Sequence, residues 1–189
     1  LETLQYYYPN STYISEEKGK IDGNDEIIVI DPIDGTTNFI HGIPLIGIVV
    51  SKIVDNEIVD GVIFNPITND FFWASKGKGA WCNNKRLRVS KRDILADSVI
   101  GVGIPHANRT YKNYLNEIEQ ITNICSGLRR MGSAAIDLAY VASGKLDAFW
   151  ERDLNIWDVS SGVLLVREAG GKVTEPSGNP WDILSKDIL

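Results

Sequence analysis

The chain has 189 residues, with 19 Lys and Arg against 25 Asp and Glu, a formal net charge of −6. With 43% hydrophobic and 23% charged residues it has globular rather than disordered composition, and no apolar run is long enough for a membrane span. The acidic balance argues against non-specific nucleic-acid binding, and two cysteines make neither a disulfide framework nor a zinc site. A cytoplasmic protein is expected. The pattern predicts a single unit over 1–189, with a sheet-rich lobe at 1–125 and an α/β lobe at 126–189. The chain opens on Leu1, has Met131 as its one methionine and closes on Ile188-Leu189, so a fragment of a longer protein is expected.

In chain order, Glu26 to Ile30 is a short apolar run that predicts a buried strand ending at Asp31. Leu45–Ile53 and Glu57–Phe64 are β-branched runs around Asp55-Asn56, a hairpin signal. Asp70–Ser75 and Ala80–Asn83 flank Lys76-Gly77-Lys78-Gly79, a second one. Arg86–Ser90 and Ser98–Gly103 extend the series, and the close spacing predicts antiparallel pairing throughout. The second half is helical in pattern. Tyr111–Ile124 is amphipathic, a helix opens at Ser133 and stops at Ser143-Gly144, and Leu146–Trp150 predicts a strand. Asn155 caps a last helix that ends before Gly170-Gly171.

The unusual stretch is Asp31-Pro32-Ile33-Asp34-Gly35-Thr36-Thr37-Asn38-Phe39. A strand delivers two carboxylates three residues apart, just before a glycine turn and a helix start whose N–H groups attract anions such as phosphate. Carboxylates beside a phosphate cradle need a cation between them, and an all-oxygen donor set points to Mg²⁺. Asp-Gly after a strand is also an ordinary turn, with Asp34 capping its own backbone. Glu16-Glu17, taken alone, reads as solvated surface charge. Asp158, third in its helix behind Asn155, stabilises the helix dipole by itself. His41, His106, Cys82, Cys125, Trp73 and Trp81 read as structural residues. Arg129-Arg130 fits an anionic substrate or a subunit contact.

Residues 31–39 resemble the first signature of the inositol monophosphatase family throughout. Trp157-Asp158-Val159-Ser160-Ser161-Gly162, closing on Glu168-Ala169-Gly170-Gly171, resembles the second. Glu16-Glu17 corresponds to the family's third acidic element, with Ser15 where glycine is usual. Arg130-Met131-Gly132-Ser133-Ala134-Ala135 and Phe149-Trp150-Glu151-Arg152 are similar to the segments on its substrate side. The family runs to roughly 250–270 residues, which implies about fifty more before Leu1 and some twenty after Leu189.

The resemblance implies an α+β fold, a layered αβαβα sandwich whose front is a long helical pair. It implies two to three Mg²⁺ ions held by Glu16, Asp31, the Ile33 carbonyl, Asp34 and Asp158. Glu17 and Thr36 would activate the attacking water, and the Gly35 and Thr36 amides would hold phosphate oxygens. Ser133, Ala134 and Glu151 would meet the alcohol. The expected activity is hydrolysis of myo-inositol monophosphate or a similar phosphorylated polyol or sugar, in a lithium-sensitive homodimer that touches neither membrane nor nucleic acid. Fructose 1,6-bisphosphate, histidinol phosphate and nucleotide phosphates are alternatives, as is a transcription-accessory binding role.

Overall fold

A computed structural model describes residues 1–23, 26–104 and 112–189, so His106 and Tyr111 lie outside the described residues. The first half contains α1 (Glu2–Tyr7), β1 (Thr12–Ser15), β2 (Gly19–Ile21), β3 (Ile27–Asp34), α2 (Thr36–Ile40), β4 (Gly47–Val54) and β5 (Glu57–Asn65). It continues with β6 (Asp70–Ser75), β7 (Gly79–Cys82), β8 (Lys85–Arg86) and β9 (Val99–Val102). Then come α3 (Lys112–Thr122), β10 (Gly127–Arg129), α4 (Ala134–Ala142), β11 (Ala148–Trp150) and α5 (Ile156–Glu168).

Eight strands form one sheet in the order β2-β1-β3-β4-β5-β6-β7-β8, antiparallel except for the parallel β1–β3 pair. The turn between β4 and β5 places Asp55 at φ 50° and Asn56 at φ 61°. Those angles match the twist of a tight hairpin, which is why Asp-Asn sits there. Along β4 the residues Gly47, Val49, Ser51 and Ile53 are buried in alternation, as a half-covered strand requires.

The antiparallel expectation fails at two places. Of the run 86–90 only Arg86 lies in a strand, as the end of β8, which pairs with its neighbour β7. β9 is the centre of a separate sheet, β10-β9-β11, in which both pairings are parallel. Its partners arrive after intervening helices, as parallel strands must, so close spacing could not reveal them.

The layers run α1, large sheet, α4 with α5, small sheet, α3, an αβαβα sandwich. Leu4 of α1 and Leu1 at its N-cap pack on Tyr13, Ile28 and Ile30 across the outer face of the large sheet. Tyr114 and Ile118 of α3 pack on Ile100, Val102 and Trp150 of the small one. The small residues of α5 set the spacing of the central layer. A Cβ on Gly61 would stand 2.9 Å from Ser161 Cα, and one on Gly162 would stand 2.5 Å from Leu138 Cβ. Bulkier residues at these contacts would force the layers apart. The Glu168 carboxylate accepts from the Gly77 and Gly79 amides at 2.7 Å each, tying the end of α5 to the β6–β7 hairpin. That acid of the second signature is therefore structural.

Candidate active site

β3 does not end at Asp31. It runs to Asp34, with a shift of register between Asp31 and Asp34 against β4. In a regular strand, residues three apart face opposite sides; the irregularity brings both carboxylates to one cavity. Pro32 tolerates that position because it has no N–H for the ladder. Asp31 Oδ1 accepts from the Ile33 amide at 2.9 Å, and Thr36 Oγ1 donates to the Ile33 carbonyl at 3.0 Å.

Gly35 follows at φ 86°, where a Cβ would also press on the Leu45 and Gly132 carbonyls at 3.0 and 3.2 Å. Asn38, whose importance the sequence reading missed, donates from Nδ2 to the Leu45 and Met131 carbonyls at 2.7 and 2.8 Å. It pins the short helix α2 to the turn that opens α4.

Asp34 Oδ2 is held by the Ser133 hydroxyl at 2.6 Å and the Ala135 amide at 2.7 Å. Ser133 also caps α4 by accepting from the Ile136 amide. Its hydroxyl is thus engaged with Asp34, while Ala134 beside it lines the cavity. Asp158 Oδ2 accepts from the Asn155 amide at 2.7 Å, so the helix-capping reading is correct. The same carboxyl joins Asp31 and Asp34 in a trio whose ligand atoms all lie within 4.8 Å of one another. Capping and clustering coexist.

Burial, then the Asp34 and Glu16 charges, pushes Asp31 up to about 8. Burial also raises Asp34 to about 7, although the Ser133 and Ala135 hydrogen bonds oppose the shift. Crowded, desolvated carboxylates of this kind are relieved by a cation, and an all-carboxylate set suits a hard divalent ion. Glu16 is exposed but lines the same cavity. Glu17, next to it and also exposed, is not among the lining residues described.

The cavity has a volume of about 370 Å³. Gly35 and Thr36 line it beside the trio, and its far wall carries Glu151, Asp137, Arg130 and Arg152. Glu151 follows β11 and exchanges backbone hydrogen bonds with Ile188 at 3.2 and 2.9 Å, so the chain's last residues brace it. Burial raises it to about 8, aided by the Asp34 and Asp158 charges and opposed by Arg130. Arg152 spans Glu117 and Asp187 at 2.7 and 3.1 Å. Asp137 escaped the sequence reading, although a lone acid inside the apolar helix Ala134–Ala142 was its signal.

A profile of the inositol monophosphatase family matches residues 1–189. An inositol-1-monophosphatase of Rhizobium meliloti is 47% identical over 180 residues, covering 94% of this chain and 68% of that protein. The Nus factor SuhB of Escherichia coli K12 is 39% identical over 192 residues, covering 100% of this chain and 72% of that protein. The crystal structure of extragenic suppressor protein suhB from Bartonella henselae superposes with a TM-score of 0.96 at 43% identity, covering 99% of this chain and 73% of that one.

Proposed function

The chain belongs to the inositol monophosphatase family, and from that premise we propose that it hydrolyses myo-inositol monophosphate or a sugar phosphate with a similar run of hydroxyls. The observation that carries the reading is the trio Asp31, Asp34 and Asp158 at the head of a cavity that also exposes the Gly35–Thr36 turn. Asp31, Asp34 and Asp158, with Glu16 and the Ile33 carbonyl, are the groups that would hold two to three Mg²⁺ ions. Bound there, Mg²⁺ would supply neutralisation of phosphate charge and acidification of water.

The remaining work falls to the chain. The Gly35 and Thr36 amides, at the start of α2, meet phosphate oxygens that carry negative charge. Thr36 Oγ1, anchored on the Ile33 carbonyl, orients the attacking water, and Glu17 removes its proton. Ser133 steadies Asp34, and Ala134 and Glu151 face the alcohol, where a carboxylate accepts from substrate hydroxyls. The same proposal takes residues 1–189 as one catalytic domain, working in the cytoplasm as a lithium-sensitive homodimer. The second reading, a transcription accessory, is favoured by the name of the SuhB relatives alone.

The test is a panel of phosphomonoesters, from inositol and sugar phosphates to histidinol phosphate, nucleotides and fructose 1,6-bisphosphate. Turnover is expected to be highest on myo-inositol monophosphate and abolished by chelator. Comparable turnover of every ester overturns the substrate assignment. Activity that survives complete chelation overturns the metal assignment.

A further inference from the structure

Asp137 is the carboxyl that the mechanism leaves unused. It lies within α4, is 1% exposed, and its Oδ1 has no hydrogen-bond partner among the described residues. The fold nevertheless makes room for it. Gly101 stands where a Cβ would come within 2.8 Å of Asp137 Oδ1, and Gly103 stands where a Cβ would come within 1.8 Å of the Glu151 carboxyl carbon. Gly101 lies in β9 and Gly103 just past its end, its amide still bonded to the Trp150 carbonyl at 3.0 Å, so the two acids fill spaces left by glycines two residues apart on one stretch of chain.

Two ionised carboxylates so placed would repel each other, and an orphaned buried charge is the costliest state available to Asp137. A neutral acid has an O–H to give, and Glu151 is an acceptor. We propose that Asp137 is a positioning residue: a protonated acid whose O–H holds the Glu151 carboxylate, leaving a Glu151 oxygen turned to a hydroxyl of the substrate. This rests on the polyol-phosphate reading above and names how the site would discriminate such substrates from simple esters.

The electrostatics agree. Burial is the largest influence on Asp137 and the Glu151 charge the next, and together with Asp34 they push it up to about 9. A cation at Asp34 would remove only the third contribution. Arg130, beyond β10, acts in the opposite direction. Tyr140 on α4 also senses the Asp137 charge, while Asp158 on α5 and Tyr114 on α3 interact with Glu151.

The experiment compares Asp137→Asn, which keeps size and a donor, with Asp137→Leu, which keeps size and loses the donor. Thermal melts accompany infrared difference spectra and kcat/KM on myo-inositol 1-phosphate and p-nitrophenyl phosphate. At pH about 7 the parent should show the carbonyl band of a buried protonated acid that Asp137→Asn lacks. The ratio of kcat/KM between polyol and aryl esters should stay within about threefold in Asp137→Asn and fall about tenfold or more in Asp137→Leu, mainly through KM. Above pH about 9 that ratio should decline in the parent and stay flat in Asp137→Asn.

Absence of the infrared band overturns the protonated state whatever the substrate proves to be. Asp137→Asn as damaging as Asp137→Leu, or equal losses on both esters, overturns the positioning role. A parent that shows the band but ignores the polyol ester overturns the functional reading, while its proton assignment stands.

Discussion

The two ends of the cavity use the same chemical group in opposite ways. At the trio, Asp31, Asp34 and Asp158 crowd within 4.8 Å, and each is oriented by hydrogen bonds from the chain: Ile33 on Asp31, Ser133 and Ala135 on Asp34, Asn155 on Asp158. Donors that fix the anionic form hold the carboxylates ready for a cation. At the far wall, Asp137 has an oxygen orphaned among the described residues, and the Arg130 charge opposes the burial of Glu151. There the cheapest relief is a proton. Burial raises all four groups, so the direction of a shift does not distinguish the ends; the hydrogen-bond donors around each acid do.

The comparison breaks most visibly at Asp31. Asp31→Asn should reduce activity by about a thousandfold or more and sharply weaken Mg²⁺ binding in calorimetry, because it removes charge where the cation is held. Intact Mg²⁺ affinity would place the metal elsewhere. Glu17→Gln should lower kcat by about 10²–10⁴ with little change in KM, the range for loss of a general base. A kcat within about threefold of the parent would leave Glu17 as solvated charge. Glu151→Gln should be milder and selective. Loss of one charged hydrogen bond to a substrate hydroxyl costs about 1.5–3 kcal/mol, so turnover of inositol phosphate should fall roughly ten- to a hundredfold. Equal loss on an aryl phosphate would move Glu151 out of the alcohol side.

Much of this was legible because local rules coincide with the fold. The Asp55-Asn56 turn, the Ser133 and Asn155 helix starts and the stop at Gly144 follow from φ preferences and capping alone. Asp31 and Asp34 were legible as a cation site from their spacing ahead of a glycine turn, whereas Asp158, far along the chain and with an ordinary capping role, joined them only through resemblance. The register shift that turns Asp31 and Asp34 to one side left no mark beyond Pro32. Close spacing predicts β9 as a further antiparallel strand, whereas its parallel partners follow only after α3 and α4. Gly101 and Gly103, opposite the hydrophobic Ile100 and Val102, marked a face cleared for something else. Asp137 is the exception among the apolar positions of its helix, and a pattern built on apolar positions gives an exception no weight.

The smallest effect separates the two ends most cleanly, because it is read from stability alone. Raised carboxyl pKa values mean that the folded chain holds protons which the unfolded chain has already released. The folded state then binds more protons between the ordinary carboxylate range and about pH 8, so stability falls as pH rises through that window. Without metal, Asp31, Asp34, Glu151 and Asp137 all contribute with that sign. A loss of about 2 kcal/mol between pH 5 and 8, or roughly 4–8 °C in Tm, is expected for a domain of this size. Saturating Mg²⁺ should raise Tm most at pH 8, where ligation no longer competes with protons at Asp31 and Asp34. The share of the slope from Asp137 and Glu151 should persist, because neither belongs to the trio. Scanning calorimetry across this window, with chelator and with Mg²⁺, resolves the shares. A slope that Mg²⁺ erases completely would mean that the far wall is also metal-coupled. A slope that Mg²⁺ leaves unchanged would mean that the trio never bore the charge a cation relieves.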